Sequence, residues 1–355
     1  MRALPAPRGP LSELLLGELD SDVHELPSFG LPEVTDPLAD EDLQLALYLC
    51  YELHYRGLPG VDDRWEWEPS LLRMRAELER QFEQALLAAV PAQNGATPAD
   101  EIDLALRAIA DGEEVALSTY MQREATVAQF REFVVHRSAY QLKEADPHSW
   151  ALPRLAGAPK AALVEIQADE YGGGRAEWIH AELFARAMRA LGLDGSYGAY
   201  LDMIPGVTLA TVNQMSLFGL HRRWRGAIVG HLALFEMTSS IPNRRYAGGL
   251  RRLGVRGDAT LFFDEHVEAD AVHENVAAVD LAGGLVRQEP DLAQSLLWGA
   301  ATLAYLDERW ATHLLAHWSQ GRPSLRGELA LDPPEPSDGS KRRALDGGRP
   351  PSAAG

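Results

Sequence analysis

A chain of 355 residues, 46 % hydrophobic and 24 % charged, has enough apolar material for a sizeable core, in one large domain or in one domain with an added segment. Its formal net charge of −19 argues against nucleic acid, whose phosphates need clustered Lys and Arg, and against an anionic membrane surface. The single cysteine, Cys50, excludes an intramolecular disulfide and any Cys-based zinc or iron–sulfur site. No run approaches the roughly 18 apolar residues of a membrane span, and the N-terminal apolar stretch is too short for a signal peptide. These features predict a cytoplasmic protein with neither nucleic acid nor membrane as partner.

Residues 1–38 mix Pro, Gly and acidic residues and read as a partly ordered or wrapping arm. Residues 39–118 form an N-terminal helical segment. Asp40 opens a helix with Leu43, Leu47, Cys50 and Leu53 as its apolar stripe, ending near Gly57 and Pro59. A second helix runs through LLRMRAELERQFEQALLAAV to Pro91, and a third spans Asp100 to Ala110. Tyr120 to Leu142 is expected as one helix, followed after Pro153 by LVEIQADE and the glycines 172, 173 and 174. AEWIHAELFARAMRAL is amphipathic and stops at Gly192. The long apolar stretch after Pro205 predicts one or two buried helices, LFFDEHVEADAVHENVAAVDLAGGL another, and Pro290 to Trp318 the last. Residues 119–320 thus form the main helical domain, and the polar, Pro- and Gly-rich residues 321–355 are expected to be a disordered tail. With no alternating β pattern and no internal repeat, the fold class is all-α.

The strongest chemical signal is His266-x3-Asp270-x2-His273. Steps of four and three residues on a helix put the three side chains on one face within about 60°. Two imidazoles and a carboxylate there make a divalent-metal half-site suited to iron, although Glu265, Glu268 and Glu274 on the same helix leave open a solvated polar face. Glu236 stands in an otherwise apolar segment, where a lone carboxylate costs several kcal/mol unless paired or metal-bound; the alternative is a helix end bonding the Thr238–Ser240 turn. Glu177 and His180 have the spacing of an ExxH pair, or His180 is a satisfied core histidine. Glu170 precedes three glycines that either aim it into the bundle or merely end a helix, and Glu144 reads by itself as a solvated helix end before Pro147.

Together, Glu144, Glu170, His180, Glu236, His266, Asp270 and His273 resemble the ligand set of the haem-oxygenase-like diiron oxidases and oxygenases. Over roughly residues 120–310, the segments YQLKEADPHSW, EIQADEYGGG and HVEADAVHE are similar to actinobacterial proteins described as iron-containing redox enzymes. The spacing is also similar to that of the central domain of N-nitrosating enzymes of streptozotocin biosynthesis. The resemblance implies a haem-oxygenase-like bundle holding two iron ions, with those seven residues as ligands and Glu177 as a neighbour or substitute for Glu170. It implies O2 as cosubstrate, a peroxo-diiron(III) intermediate, an external electron donor such as a ferredoxin, and a homodimer. Four carboxylates balance the charge of two Fe(II), a check independent of the family.

The extra carboxylate at Glu144 points, by this analogy, to N-oxygenation of a small amine to a hydroxylamine or nitro group in specialised metabolism. Oxidative C–C or C–N cleavage, desaturation, and a metal-free haem-oxygenase-like enzyme are the alternatives, with a ferritin-like bundle further behind. Tyr171, Phe235, Phe262, Phe263 and Gly230 are candidate pocket residues, or ordinary core. Arg222, Arg223, Arg225, Arg244 and Arg245 are candidates to receive a substrate carboxylate, or surface charges. Gly226 and Gly230, one helical turn apart, read as helix-packing positions. His54, His136, His148, His313 and His317 have no partner at metal-ligand spacing, and His221 and His231, on one apolar segment, read as hydrogen-bonded core or surface residues.

Overall fold

The computed structural model of the protein describes residues 4–27, 30, 32–91, 97–112 and 117–329, with the backbone alone for 268–272. Every regular element among these residues is helical, so the chain is all-α as the sequence predicts. None of the described helices is long and apolar enough to cross a membrane.

The N-terminal helices are α1 (Pro10–Leu19), α2 (Glu41–Glu52), α3 (Pro69–Ala89) and α4 (Ile102–Ala110). The Asp40 side chain accepts the Asp42 and Leu43 amides, which caps α2 as its position predicts. Helix α1 lies within the expected arm and is tied down rather than loose. Leu15 and Leu19 are buried, and Asp42 accepts the Leu11 and Ser12 amides at 2.9 and 2.7 Å.

The helix expected over Tyr120–Leu142 is two, α5 (Leu117–Arg123) and α6 (Val127–Gln141). Thr126 starts the second with a reciprocal capping box, its amide donating to Gln129 Oε1 (2.9 Å) and its hydroxyl accepting the Gln129 amide (3.3 Å). Then come α7 (Asp146–Ser149), α8 (Gly157–Glu170), α9 (His180–Ala190), α10 (Gly206–Leu220), α11 (Arg225–Arg252), α12 (Asp258–Asn275), α13 (Gly284–Gln288) and α14 (Ala293–Ser319). The apolar stretch after Pro205 therefore makes two helices, broken at His221.

Helices α11 and α14 cross with their backbones in contact. A Cβ on Gly230 would overlap the Leu296 carbonyl, and one on Gly226 would lie 3.2 Å from the Leu292 carbonyl. Both glycines are packing positions, so Gly230 is not a pocket residue. From α12 the chain continues through a π-helical run, Val276–Gly283, into α13. Single π turns are rare and cluster at functional sites; this one starts just past His273.

Residues 321–329, expected to begin the disordered tail, are instead seated on α6. The Ser324 amide and hydroxyl donate to Glu132 at 2.7 and 2.6 Å, and Leu325 is buried. The rest of that expected tail, residues 330–355, lies outside the described residues.

Candidate metal centre

Glu144 occupies the turn between α6 and α7, where the next residue, Ala145, is held at φ +73°. A residue with a Cβ disfavours that conformation by about 1–2 kcal/mol, and such strain persists where surrounding structure over-determines it. Gln167 of α8 supplies part of the restraint, its Nε2 donating to the Ala145 carbonyl at 3.0 Å.

Glu170 is the last residue of α8 and His180 the first of α9. The glycines between them bring these two side chains together. Gly172, Gly173 and Gly174 all have positive φ, and a Cβ on Gly172 would stand 2.6 and 2.7 Å from the Trp178 carbonyl carbon and the Ile179 nitrogen. The chain thus doubles back with backbone against backbone, and His180 arrives beside Glu170, Nδ1 to Oε2 2.9 Å. Glu177 is exposed on the short 3-10 turn Ala176–Trp178, away from these groups.

Glu236 comes from the middle of α11, which runs on as helix past residues 238–240. The Thr238 hydroxyl donates to the Leu234 carbonyl, and the Glu236 carboxylate faces His273 Nδ1 at 3.5 Å. The alternative in which Glu236 bonds a turn at Thr238–Ser240 is therefore set aside. His266 and His273 project from one face of α12. Asp270 lies between them on the same helix; its side chain is outside the described residues.

Six buried residues make two donor sets. Glu144, Glu170, His180 and His266 offer ligand atoms within 4.8 Å of one another, as do Glu170, Glu236 and His273. Glu170 belongs to both. The orientation of these groups suits a cation better than it suits one another. His180 Nδ1 and Glu170 Oε2 are close, yet both lack a hydrogen-bond partner, as do Glu144 Oε2 and His273 Nδ1. Buried polar atoms without partners are costly unless something else satisfies them.

Two imidazoles are oriented from behind. His266 Nδ1 donates to the Phe262 carbonyl at 2.8 Å, which leaves Nε2 turned to Glu144 at 3.4 Å. His273 Nε2 meets Asp169 Oδ2 at 3.1 Å, leaving Nδ1 for the second set. Asp169 was not singled out in the sequence; its adjacency to Glu170 is the one signal available.

A small cavity beside the donors is lined by Tyr140, His148, Gln167, Leu232, Phe235 and Ser239 along with Glu144, Glu170, Glu236 and His266. Of the candidate pocket residues, Phe235 lines it. Phe262 packs on His266 with ring centroids 4.3 Å apart, Phe263 is buried against Tyr246, and the Tyr171 hydroxyl donates to Asp146. The arginines are engaged elsewhere: Arg223 with Glu83, Arg225 with Glu289, and Arg245 with the Ser118 hydroxyl, while Arg222 and Arg244 are exposed.

His148, left without a partner by the sequence, lines this cavity and meets His231, Nε2 to Nδ1 3.1 Å. Burial pushes His148 down to about 4 and His231 well below its ordinary value, so both are neutral. His136 bonds Thr208 and Ser324, His54 bonds Glu66 and Arg75, His221 bonds Glu79, and His313 and His317 bond backbone carbonyls.

A family model described as iron-containing redox enzyme matches residues 131–308, which hold every ligand candidate. The chain belongs to this family. No curated protein matches it. As an iron-containing redox enzyme it is an oxidoreductase on a haem-oxygenase-like bundle, and the buried carboxylate and imidazole donors suit the metal of its family.

The charge balance of this iron-containing redox enzyme without metal predicts a pH dependence. Burial opposes charge on His273, but Glu236, Glu170 and Asp169 outweigh it and lift the imidazole to about 9; His180 is raised in the same way by Glu170. Burial likewise opposes charge on Glu170, yet His180, His266 and His273 hold it at about 2. A cation must displace the imidazole protons, so affinity for Fe(II) or Co(II) is expected to rise from pH 7 to pH 9, by up to about tenfold per pH unit for each proton displaced. Competition titrations against a chelator check this, and a flat profile would contradict it. By the same linkage, His273 stabilises the metal-free fold fully below its unfolded value, and that contribution is lost as pH rises through about 9.

Proposed function

We propose that the protein is an O2-dependent non-haem diiron oxygenase acting on a small amine, which it takes to a hydroxylamine or nitro group, with electrons from an external donor of the ferredoxin kind. The observation that carries the reading is that Glu170 is common to two buried donor sets, the arrangement in which one carboxylate can span two cations. Glu144, His180 and His266 would complete one side; Glu236 and His273, with Asp270 as a further proposed ligand, the other. The irons, when bound, supply the O2 activation.

The residues of the chain do the rest. The Phe262 carbonyl and Asp169 fix which nitrogen each α12 imidazole presents. Leu232, Phe235 and Tyr140 line the cavity, while burial together with Glu144, Glu170 and Glu236 pushes the Tyr140 hydroxyl up and keeps it neutral. Gln167 supports an N–H-bearing substrate. Its Nε2 is committed to the Ala145 carbonyl and the Ser149 hydroxyl, which leaves a buried Oε1 with no partner on a residue lining the cavity. An amine could donate to that oxygen while its nitrogen faces the donor sets.

Metal-free protein titrated with Fe(II) under nitrogen is expected to take up two equivalents per chain. Admitting O2 with reductant should then give an amine product heavier by oxygen in mass spectra. Binding of one equivalent or none would sink the diiron reading. Turnover confined to amino acids cleaved at carbon, or to desaturated fatty acids, would move the reaction to those chemistries on the same metals.

A further inference from the structure

Lys143 is 1 % exposed and Glu52 2 % exposed, and their charges meet at 3.0 Å between Nζ and Oε2. The pair joins the N-terminal segment to the metal turn, since Glu52 ends α2 and Lys143 immediately precedes Glu144. The enclosure around it is built almost wholly from α2 and the residues just after it. The ammonium lies over the rings of Tyr48 and Tyr55 at 4.8 and 4.3 Å. The Tyr197 hydroxyl donates to the Glu52 carboxylate at 2.6 Å, and Arg56, stacked over Tyr197, donates to the Leu142 carbonyl at 3.0 Å. Leu142 and Lys143 are thus clamped by backbone and by side chain to one end of α2.

Stability alone gives a weak reason for this arrangement. A buried ion pair is often matched by well-packed apolar residues of similar volume. What a charge pair adds is a fixed position, because neither partner can shift without leaving the other desolvated and alone. The residue whose position is at stake is Glu144. Its carboxylate belongs to the first donor set, and the Ala145 conformation that follows is disfavoured for a residue with a Cβ. Gln167 pins the far side of that turn and the Glu52–Lys143 pair the near side.

We propose that the buried Glu52–Lys143 pair is a positioning device, through which α2, contributing no ligand of its own, holds Glu144 in its metal-binding posture. The proposal rests on the metal-binding reading above, and its test separates the two. Full-length wild type and the variants Lys143→Met, Glu52→Gln and Lys143→Arg are titrated with Co(II), a redox-silent probe of both sets, alongside far-UV circular dichroism and thermal melts. Wild type reports on the metal reading; if it binds no Co(II), that reading and this inference fall together. With wild type binding two equivalents, Lys143→Met and Glu52→Gln are expected to stay folded. They should keep the site formed with Glu236 and His273 at wild-type affinity and weaken the Glu144 site at least tenfold, with a matching loss of half the Co(II) absorption. Lys143→Arg, which keeps the charge, should recover most of that affinity. Two sites of wild-type affinity in both charge-removing variants, or an equal weakening of both sites tracking a lowered melting temperature, would overturn the proposal. Glu52→Gln keeps a partner for the Tyr197 hydroxyl and so decides the matter if Lys143→Met does not fold.

Discussion

Glu170→Ala is expected to abolish binding of both metal ions while leaving the helical content unchanged. No other described residue belongs to both donor sets, so its loss strips the Glu144–His180–His266 group and the Glu236–His273 group together. Glu177 cannot replace it, because that side chain is exposed on the turn beyond the glycines. Losing an outer partner of a metal-bound histidine typically costs 10–100-fold in affinity or activity, so Asp169→Asn, which weakens only the hold on His273, sets the scale at about that size for one site. Loss of the shared carboxylate should exceed it at both sites, with O2-dependent turnover down by at least about a thousandfold. Anaerobic titration together with iron per chain measures the series. Two irons retained by Glu170→Ala would show that Glu170 is not shared, whereas one retained would make it a ligand to a single ion.

What could be read in the sequence divides along a physical line. Local rules were sufficient for elements whose ends are coded nearby. Asp40 caps α2 through its own side chain, and the seven-residue step from His266 to His273 needs only a helix to share a face. The Thr126–Gln129 capping box is equally local, but buried apolar residues on both sides of it, Leu117 and Met121 before and Phe130 and Phe133 after, mask the break between α5 and α6. Whether Glu170 or Glu177 joins His180 was not local. It depends on Gly172 letting backbone close on backbone, which spacing alone does not reveal. The partners of Asp169, His148 and Lys143 lie 104, 83 and 91 residues away. Each of those contacts is a product of helix packing, so no motif contains it. His148 is the clearest case: it has no partner at metal-ligand spacing in the sequence, yet it borders the same cavity as Glu170.

The glycine turn provides the second large effect, and its three residues act as their own controls. Gly172→Ala is expected to lower stability and to disable the first donor set. Alanine at positive φ costs about 1–2 kcal/mol, and its Cβ would stand 2.6 Å from backbone at Trp178, so the strand of chain leading to His180 must move. Overlap of this kind typically adds about 1–3 kcal/mol. Moving residues 178 and 179 carries His180 away from Glu170 Oε2, while Glu236 and His273, on α11 and α12, are left where they were. Gly173→Ala and Gly174→Ala meet the same backbone strain, but a Cβ at either position has nothing within 4 Å. They should therefore share the smaller loss of stability and still bind two metal ions. Melting curves and metal titration on the three variants separate the contributions. If Gly172→Ala keeps both sites at wild-type affinity, the close approach at Trp178 does not set the position of His180. If all three variants lose the first site equally, the left-handed backbone itself, rather than the contact, is what places that ligand.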